Sequence, residues 1–352
     1  MKIGIDLRFL KQWDYYSKFI LELVKNIIKE KKLDNFIIFV NILYSQTNFW
    51  ENTKNIIVNT WNFFDEQIKF NKILQKEKLD NAIFFWYNKP IKYKCNYIIF
   101  IPDLEEFHFT PKKNIFKKYF DNYLLSENSK NANKIICFNE NIKNEINDKL
   151  NIFEDNIKII TPFFNIKQVE SKDINIDIRT KYNIKDNYFI YYFWEWESKN
   201  LDRLIEVFDF FKKENINKSL VILDKFTVSD VSLRKKVIQK NLNDKIFFIW
   251  DVSESEKTLF FKHSLWVIYP VLYTVFPFMF SNAINYNSQI FSSNLENIKN
   301  IFWNKIIYFN QTDTKDIYNK IQKNQQNNID YTNIIKEYNI QKTTEMLNNI
   351  IK

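Results

Sequence analysis

At 352 residues the chain is too long for one ordinary hydrophobic core and suits two α/β domains of roughly 150 residues each. Hydrophobic residues make up 45% and charged residues 26%, ordinary values for a soluble globular protein. Two cysteines, Cys95 and Cys137, exclude a disulfide framework and a zinc spacing, and two histidines, His108 and His263, exclude a histidine-rich metal site. The net charge of +9 permits an anionic partner, whether nucleotide, phospholipid surface or nucleic acid, without choosing among them.

The chain opens on the strand-like MKIGIDL, without the charged and apolar regions of a signal peptide, so a cytoplasmic location is expected. Phe19, Leu23, Val24, Ile27 and Ile28 then fall at helical spacing and predict one apolar face. NFIIFVNIL, NIIV, NAIFF, NYIIFI, KIICF and NIKII follow as strands, with IFKKYFDNYLL a helix among them. This alternation is the signature of a parallel, doubly wound sheet. A polar stretch over 166–187 is the expected linker between a first domain, 1–165, and a second, 188–335. There YFIYYF, SLVIL, KIFFI and LWVIYPV are strands, and LDRLIEVFDFFKK and SEKTLFFKH helices. The most apolar stretch, Leu265 to Phe280, is broken by Pro270 and Pro277 and falls short of the ~20 residues that span a bilayer. It is expected to be a buried strand followed by a loop. A closing helix is expected over 336–352, in a polar tail whose apolar anchors are Ile317, Ile321, Ile334, Ile335 and Met346.

Glycine is almost absent: Gly4 stands alone, where usual composition would give about 25. Nine tryptophans occur instead, several at turn-like places beside Asn or Asp, as in Trp13-Asp14, Trp250-Asp251 and Trp303-Asn304. UGA codons read as glycine but displayed as tryptophan would produce this pattern. Compositional drift with true tryptophans is the alternative, and UGG at most of the nine codons would establish it.

An ordered series of segments resembles the family 4 glycosyltransferases. KIGIDLRFL with YSKFILELV resembles the family's opening strand, loop and helix, and FIPDLEEFHFTP its His-Asp-Leu loop. NKIICFNENIKNEI and DNIKIITPFFN resemble the end of its first domain. YFIYYFWEWESKNLDRLIEVF resembles the segment that carries a basic residue and Lys-Asn-Leu. KIFFIWDVSESEKTLFFKHS, WVIYPVLYTVFPFMFSNAI and SSNLENIKNIFWNKIIYFN then match the stretch around the donor loop. Trp250 and Trp303 fall on family glycines, Trp194 at or beside another, whereas Trp266 falls on an aliphatic strand position.

The resemblance implies a GT-B fold, two Rossmann-like α/β domains facing a cleft, and transfer of a sugar from a nucleotide-activated or lipid-phosphate donor. The implied acceptor is a glycan or a lipid-linked molecule, with retained stereochemistry, no metal, and no cofactor besides the nucleotide sugar as substrate. Lys199 and Asp103 occupy the implied catalytic positions: Lys199 to stabilise the leaving phosphate, Asp103 to orient the acceptor hydroxyl. A helix-capping lysine and a turn-forming aspartate are the plainer readings of the two. Trp194, Lys199, Tyr273, Thr274, Phe276, Pro277 and Asn282 fall at donor-binding positions, and Gly4, Arg8, His108 and Glu140 on the acceptor side. The pattern also departs from the family: Thr274 and Asn282 replace its two glutamates, Pro277 replaces a glycine whose N–H would face the donor, and its phosphate-binding arginine is missing. These losses leave open a binding or scaffold protein that keeps the fold without the activity. Lys112, Lys113, Lys117 and Lys118 around Phe116 and Phe120 would suit a peripheral contact with an anionic membrane at the inner face, or equally a solvated helix face. No nucleic-acid-binding motif accompanies the charge, and no nucleic-acid partner is expected.

Overall fold

A computed structural model describes every residue except 12–13, 32–33, 48, 50–52, 61–62, 110–114, 167–176, 186, 193–196, 225–229, 251, 265, 324–328 and 352. The chain divides into two compact units, Met1–Asn165 with Tyr338–Lys352, and Ile166–Glu337.

Unit 1 is built on seven parallel strands: β1 (Lys2–Asp6), β2 (Asn35–Val40), β3 (Thr53–Ile57), β4 (Asn81–Phe84), β5 (Asn96–Phe100), β6 (Lys134–Cys137) and β7 (Ile157–Ile159). Their order across the sheet is β3-β2-β1-β4-β5-β6-β7. Such strands are buried on both faces, which is why they read as continuous apolar runs. In β1, Gly4 pairs with Ile37 and Ala82. A Cβ there would lie 2.3 Å from Leu79 Cδ1, so this glycine makes room for the connection packed on the sheet. The helix Tyr15–Glu30 starts at Asp14, whose carboxylate accepts from the Tyr16 and Ser17 amides, and buries Phe19, Leu23, Val24, Ile27 and Ile28 as expected.

Unit 2 carries six parallel strands: β8 (Asn187–Tyr192), β9 (Lys218–Asp224), β10 (Ile246–Trp250), β11 (Trp266–Tyr269), β12 (Gln289–Ser293) and β13 (Ile307–Phe309). The order is β10-β9-β8-β11-β12-β13. Phe189, Trp266 and Phe291 line one face and meet Leu204, Phe208 and Phe211 of the helix Leu201–Lys213, with Ile317 and Ile321 of the helix Thr314–Lys323. Leu265 to Phe280 is the expected buried strand followed by loop from Trp266 onward. Among the described residues no helix is long and apolar enough to cross a membrane.

Two boundaries carry structure of their own. The linker over 166–187 ends in ordered structure, because Asp177 caps the helix Ile178–Lys181, and Lys181 and Tyr182 bond to Glu256 of the same unit. The closing helix, Ile340–Ile351, packs on the helix Tyr15–Glu30 in unit 1. Leu347 and Ile351 are its buried anchors, whereas Met346 is half-buried; Thr343 Oγ1 donates to the Thr161 carbonyl at 2.6 Å.

The Glu256 carboxylate yields a pH prediction. Burial opposes its ionisation, yet the Lys181 ammonium and the Ser253 amide and hydroxyl outweigh burial and hold its pKa at about 2. A folded pKa below the unfolded 4.5 stabilises above pH 4.5, and that contribution is lost as pH falls towards 2. Thermal melts over that window should show a shallower loss in Lys181→Ala than in the parent; identical slopes would refute the linkage.

Turns without glycine are handled by asparagine. Eight described residues have positive φ, and six are Asn: Asn151, Asn183, Asn200, Asn215, Asn241 and Asn287. Asn enters the left-handed region more readily than other side chains because its short amide bonds locally. Four of these close helices by a tight return: the Ile184 amide donates to Arg179, Ile216 to Phe211, Leu242 to Val237 and Ser288 to Ala283, at 2.8–2.9 Å. The two that are not Asn are Lys78, in the ordinary left-handed region at φ 49°, ψ 64°, and Trp303, which ends the helix Glu296–Phe302 at φ 47°, ψ −114° and is 78% exposed. That backbone region excludes a Cβ, and the indole buries too little to compensate. Trp303→Gly should therefore gain about 1–2 kcal/mol in chemical denaturation; a loss of stability would show that the indole is held by contacts worth more than the strain.

Candidate functional site

In unit 2 the chain leaves β8 towards β9 and β10, then returns to β11 on the other side of β8. The connections that follow β8 and β11 therefore diverge, which opens a crevice at the carboxyl ends of these two strands. The segment after β8 carries the short turn Glu197–Lys199 and the amino end of the helix Leu201–Lys213. The segment after β11 carries Tyr273, Thr274, Phe276 and Pro277.

These segments are fastened together. The Ser198 carbonyl accepts from the Leu272 amide at 2.6 Å, and Ser198 itself is fully buried. Asn200 Nδ2 donates to the Pro270 carbonyl and to that of Gln311, beyond β13, both at 2.8 Å. Tyr191 of β8 donates its hydroxyl to the Lys199 carbonyl at 2.7 Å, so the lysine backbone is fixed from below. Lys199, Tyr273, Thr274 and Asn282 are half-buried around this switch point.

Phe276 and Pro277 are buried instead, with Phe276 packed edge-on against Phe278 at 4.7 Å. As side chains they fill the core beneath the loop, which leaves the main chain at these two positions for the expected donor contacts. The Thr274 hydroxyl accepts from Tyr269 at 3.2 Å and lies 3.4 Å from the Phe276 carbonyl, while Asn297 Nδ2 donates to the Thr274 carbonyl. Trp194 lies outside the described residues.

Unit 1 has its own switch point, between β1 and β4. Arg8 follows β1 there, but its guanidinium is committed. Nε and Nη2 donate to the two Asp6 oxygens at 2.8 Å, Nη1 donates to Glu66 at 2.7 Å, and Cζ sits 3.4 Å over the Phe70 ring. Burial alone would lower its pKa; Asp6 and then Glu66 reverse that and raise it. Glu66 and Phe70 both reach Arg8 because they bound a π-helical turn, Glu66–Phe70, within the helical segment of 63–77. At this expected acceptor-side position the guanidinium thus forms internal ion pairs. Gly4 lies inside β1, where packing accounts for it.

Asp103 follows β5 and accepts from the Glu105 amide at 3.1 Å, a turn former as the plainer reading had it. It also faces Tyr16: burial first, then the Asp103 charge, pushes the Tyr16 phenol well up. Tyr16 donates to the Phe85 carbonyl after β4 at 3.1 Å and stands in a row with Phe9 and Trp86, ring centres 6.0 and 6.5 Å apart. His108 Nε2 lies 2.7 Å from Glu145, with the two side chains 40% and 17% exposed. Glu140 opens the helix Glu140–Leu150, exposed in its first turn, and Asn139 supplies the cap.

Sequence reading overlooked Asn200, Arg203 and the row Phe9, Tyr16, Trp86. Asn200 stood in the quoted Lys-Asn-Leu; nothing in the sequence marked its distant partners.

Residues 175–342 match the family model described as glycosyl transferases group 1. The match spans 168 of the 352 residues and covers most of unit 2. Among similar proteins, the O-antigen chain mannosyltransferase RfbU of Salmonella typhimurium is 23% identical over 235 residues, 66% of this chain and 61% of the relative. The aligned part thus spans less than two thirds of that protein. Sucrose-phosphate synthase from Thermosynechococcus elongatus superposes with a TM-score of 0.77 at 9% identity, covering 100% of this chain and 98% of the other. Anabaena HepE in complex with UDP and glucose gives 0.75 at 10%, covering 100% and 99%. At such identities the likeness speaks for the fold, which is GT-B.

Proposed function

We propose that this chain transfers a sugar from a nucleotide-activated donor to a glycan or lipid-linked acceptor. The observation that carries the reading is the fastening of Lys199 and the Pro270–Thr274 loop into one rigid edge at the switch point of unit 2. A donor diphosphate placed there would meet the Lys199 ammonium and the amino end of the helix Leu201–Lys213, which together offset the charge that grows on the leaving phosphate. No metal is required for that stabilisation, and retention of configuration is the outcome proposed. Thr274 and Asn282 would hydrogen-bond donor hydroxyls in place of carboxylates. Asp103, beside the aromatic row, would orient the acceptor hydroxyl.

A peripheral site at the inner membrane face belongs to the same proposal. The helix Ile115–Lys130 leaves Tyr119 70%, Phe120 42% and Tyr123 45% exposed, next to the basic sequence around Lys112–Lys118. Aromatic and cationic groups together suit an anionic lipid surface. The proposal extends to the genetic code: the backbone of Trp303 favours glycine there in the native protein, whereas Trp266, stacked on Phe189 at 4.6 Å in the core, favours a true tryptophan.

The second reading, a binding or scaffold protein, draws on Thr274, whose hydroxyl is already engaged by Tyr269. Titration of the protein with UDP-glucose, GDP-mannose and other nucleotide sugars, followed by turnover with glycan acceptors, separates the two. RfbU's name puts mannose donors early in that panel, and the HepE complex puts UDP-sugars there. Saturable binding with turnover supports transfer; saturable binding without turnover supports the scaffold, and no binding to any donor would overturn the nucleotide-sugar reading.

A further inference from the structure

Asn200 has an unusual set of obligations for a residue at the start of a helix. Its backbone is left-handed, φ 57° and ψ 31°, and its side chain makes no cap to the helix that follows. The amide reaches outward instead. Nδ2 donates one hydrogen to Pro270 O, 70 positions later, and the other to Gln311 O, 111 positions later, each at 2.8 Å. Its Oδ1 accepts from Arg203 Nη1 at 2.7 Å, and the same Nη1 lies 3.1 Å from Gln311 O. The orientation of this amide is unambiguous, since two carbonyls require donors and a guanidinium requires an acceptor.

Three connections meet at this one side chain: the segment after β8, the segment after β11 and the segment after β13. The Ser198 O to Leu272 N bond adds a main-chain tie between the first two. Lys199 sits between Ser198 and Asn200, so both its neighbours are pinned to the loop that carries Tyr273 and Thr274. Without these ties each connection would be an independent surface loop, ordered only when something bound to it.

We propose that Asn200 is a positioning residue, a clasp that holds the Lys199 turn, the Pro270–Thr274 loop and the Asn310–Thr312 loop in one arrangement before any ligand arrives. The role of those loops in donor binding rests on the proposed function, but the clasp itself does not. Preorganisation of this kind improves affinity by removing the cost of ordering the loops on binding. The left-handed backbone explains why the residue is Asn: among side chains with two amide donors, it alone is short enough to tolerate that conformation.

Two substitutions test the clasp. Asn200→Gly keeps the left-handed backbone and removes all the side-chain bonds. Asn200→Asp keeps the acceptor for Arg203 but sets a carboxylate against two carbonyls. Hydrogen exchange is followed on the ligand-free full chain, together with titration of UDP. Both variants should lose about tenfold in amide protection over 271–276 and 310–313, Leu272 above all, while the Phe208–Phe211 end of the helix Leu201–Lys213 keeps its protection. The Kd for UDP should rise about tenfold. Unchanged protection in both loops overturns the clasp, and so does a uniform loss across unit 2, which would mean general destabilisation. Loosened loops with an unaltered Kd would make the ties merely structural and overturn the positioning role. If the parent chain binds no UDP, the nucleotide-donor reading suffers, and the exchange data decide the clasp by themselves.

Discussion

Replacing Arg8 with methionine should destabilise unit 1 by about 3–5 kcal/mol. The argument is one of stranded charge. Asp6 ends β1 with its side chain 8% exposed, and both of its oxygens receive Arg8 donors. Without the guanidinium the carboxylate keeps the main-chain amide of residue 8, 3.1 Å from Oδ1, but loses its charge partner, and a buried carboxylate without a countercharge is far costlier than the pair was favourable. Glu66, with its side chain 24% exposed, can rotate towards solvent and keeps its bond from Thr60, so the loss falls mainly on Asp6. Thermal and urea denaturation of Arg8→Met, Asp6→Leu and the double variant give the coupling directly. The double variant should be markedly more stable than Arg8→Met alone; additive losses would mean that the pair carries no such coupling.

Lys199→Ala should lower sugar transfer by about 10²–10³-fold, the cost of removing one preorganised charge from a developing phosphate. The change should leave the fold intact, because Tyr191 and Ser198 hold this turn through main-chain carbonyls that alanine retains. Lys199→Arg should recover part of the rate, since the charge returns while its shape differs. Initial rates with whichever donor the panel identifies, set beside melting temperatures, provide the check. A parental rate in the alanine variant would remove Lys199 from the chemistry.

The strands that sequence made legible are those buried on both faces by apolar runs, and LDRLIEVFDFFKK coincides with the helix Leu201–Lys213. β12 and β13 were less visible for opposite reasons. QIFSS buries Gln289, Ser292 and Ser293, polar residues whose burial depends on neighbouring strands, as when Ser293 donates to the Tyr269 carbonyl. IYF is simply three residues long. At the site, chain order sufficed to put Lys199 and the Thr274 loop at one end of one sheet. It did not reveal that Arg8 is consumed by Glu66 from 58 positions away, or that Phe276 and Pro277 face inward. Those facts depend on which partners tertiary packing supplies, and a local pattern carries no record of them.

The asparagines in left-handed turns have a consequence for how this protein ages. Asparagine deamidates when the amide nitrogen of the next residue attacks the side-chain carbonyl and closes a five-membered imide, a step that a following glycine eases and a bulky neighbour obstructs. In this chain Asn151, Asn183 and Asn215 precede isoleucine, Asn200 and Asn241 precede leucine, and only Asn287 precedes a small residue, Ser288. The chain contains no Asn-Gly pair at all. Ile152, Ile184, Leu242 and Ser288 are all buried, so it is the size of the following side chain that sets Asn287 apart. A protein that bends its backbone with asparagine rather than glycine has thereby shielded most of those bends from their characteristic chemical decay, and Asn287 is where that decay should begin.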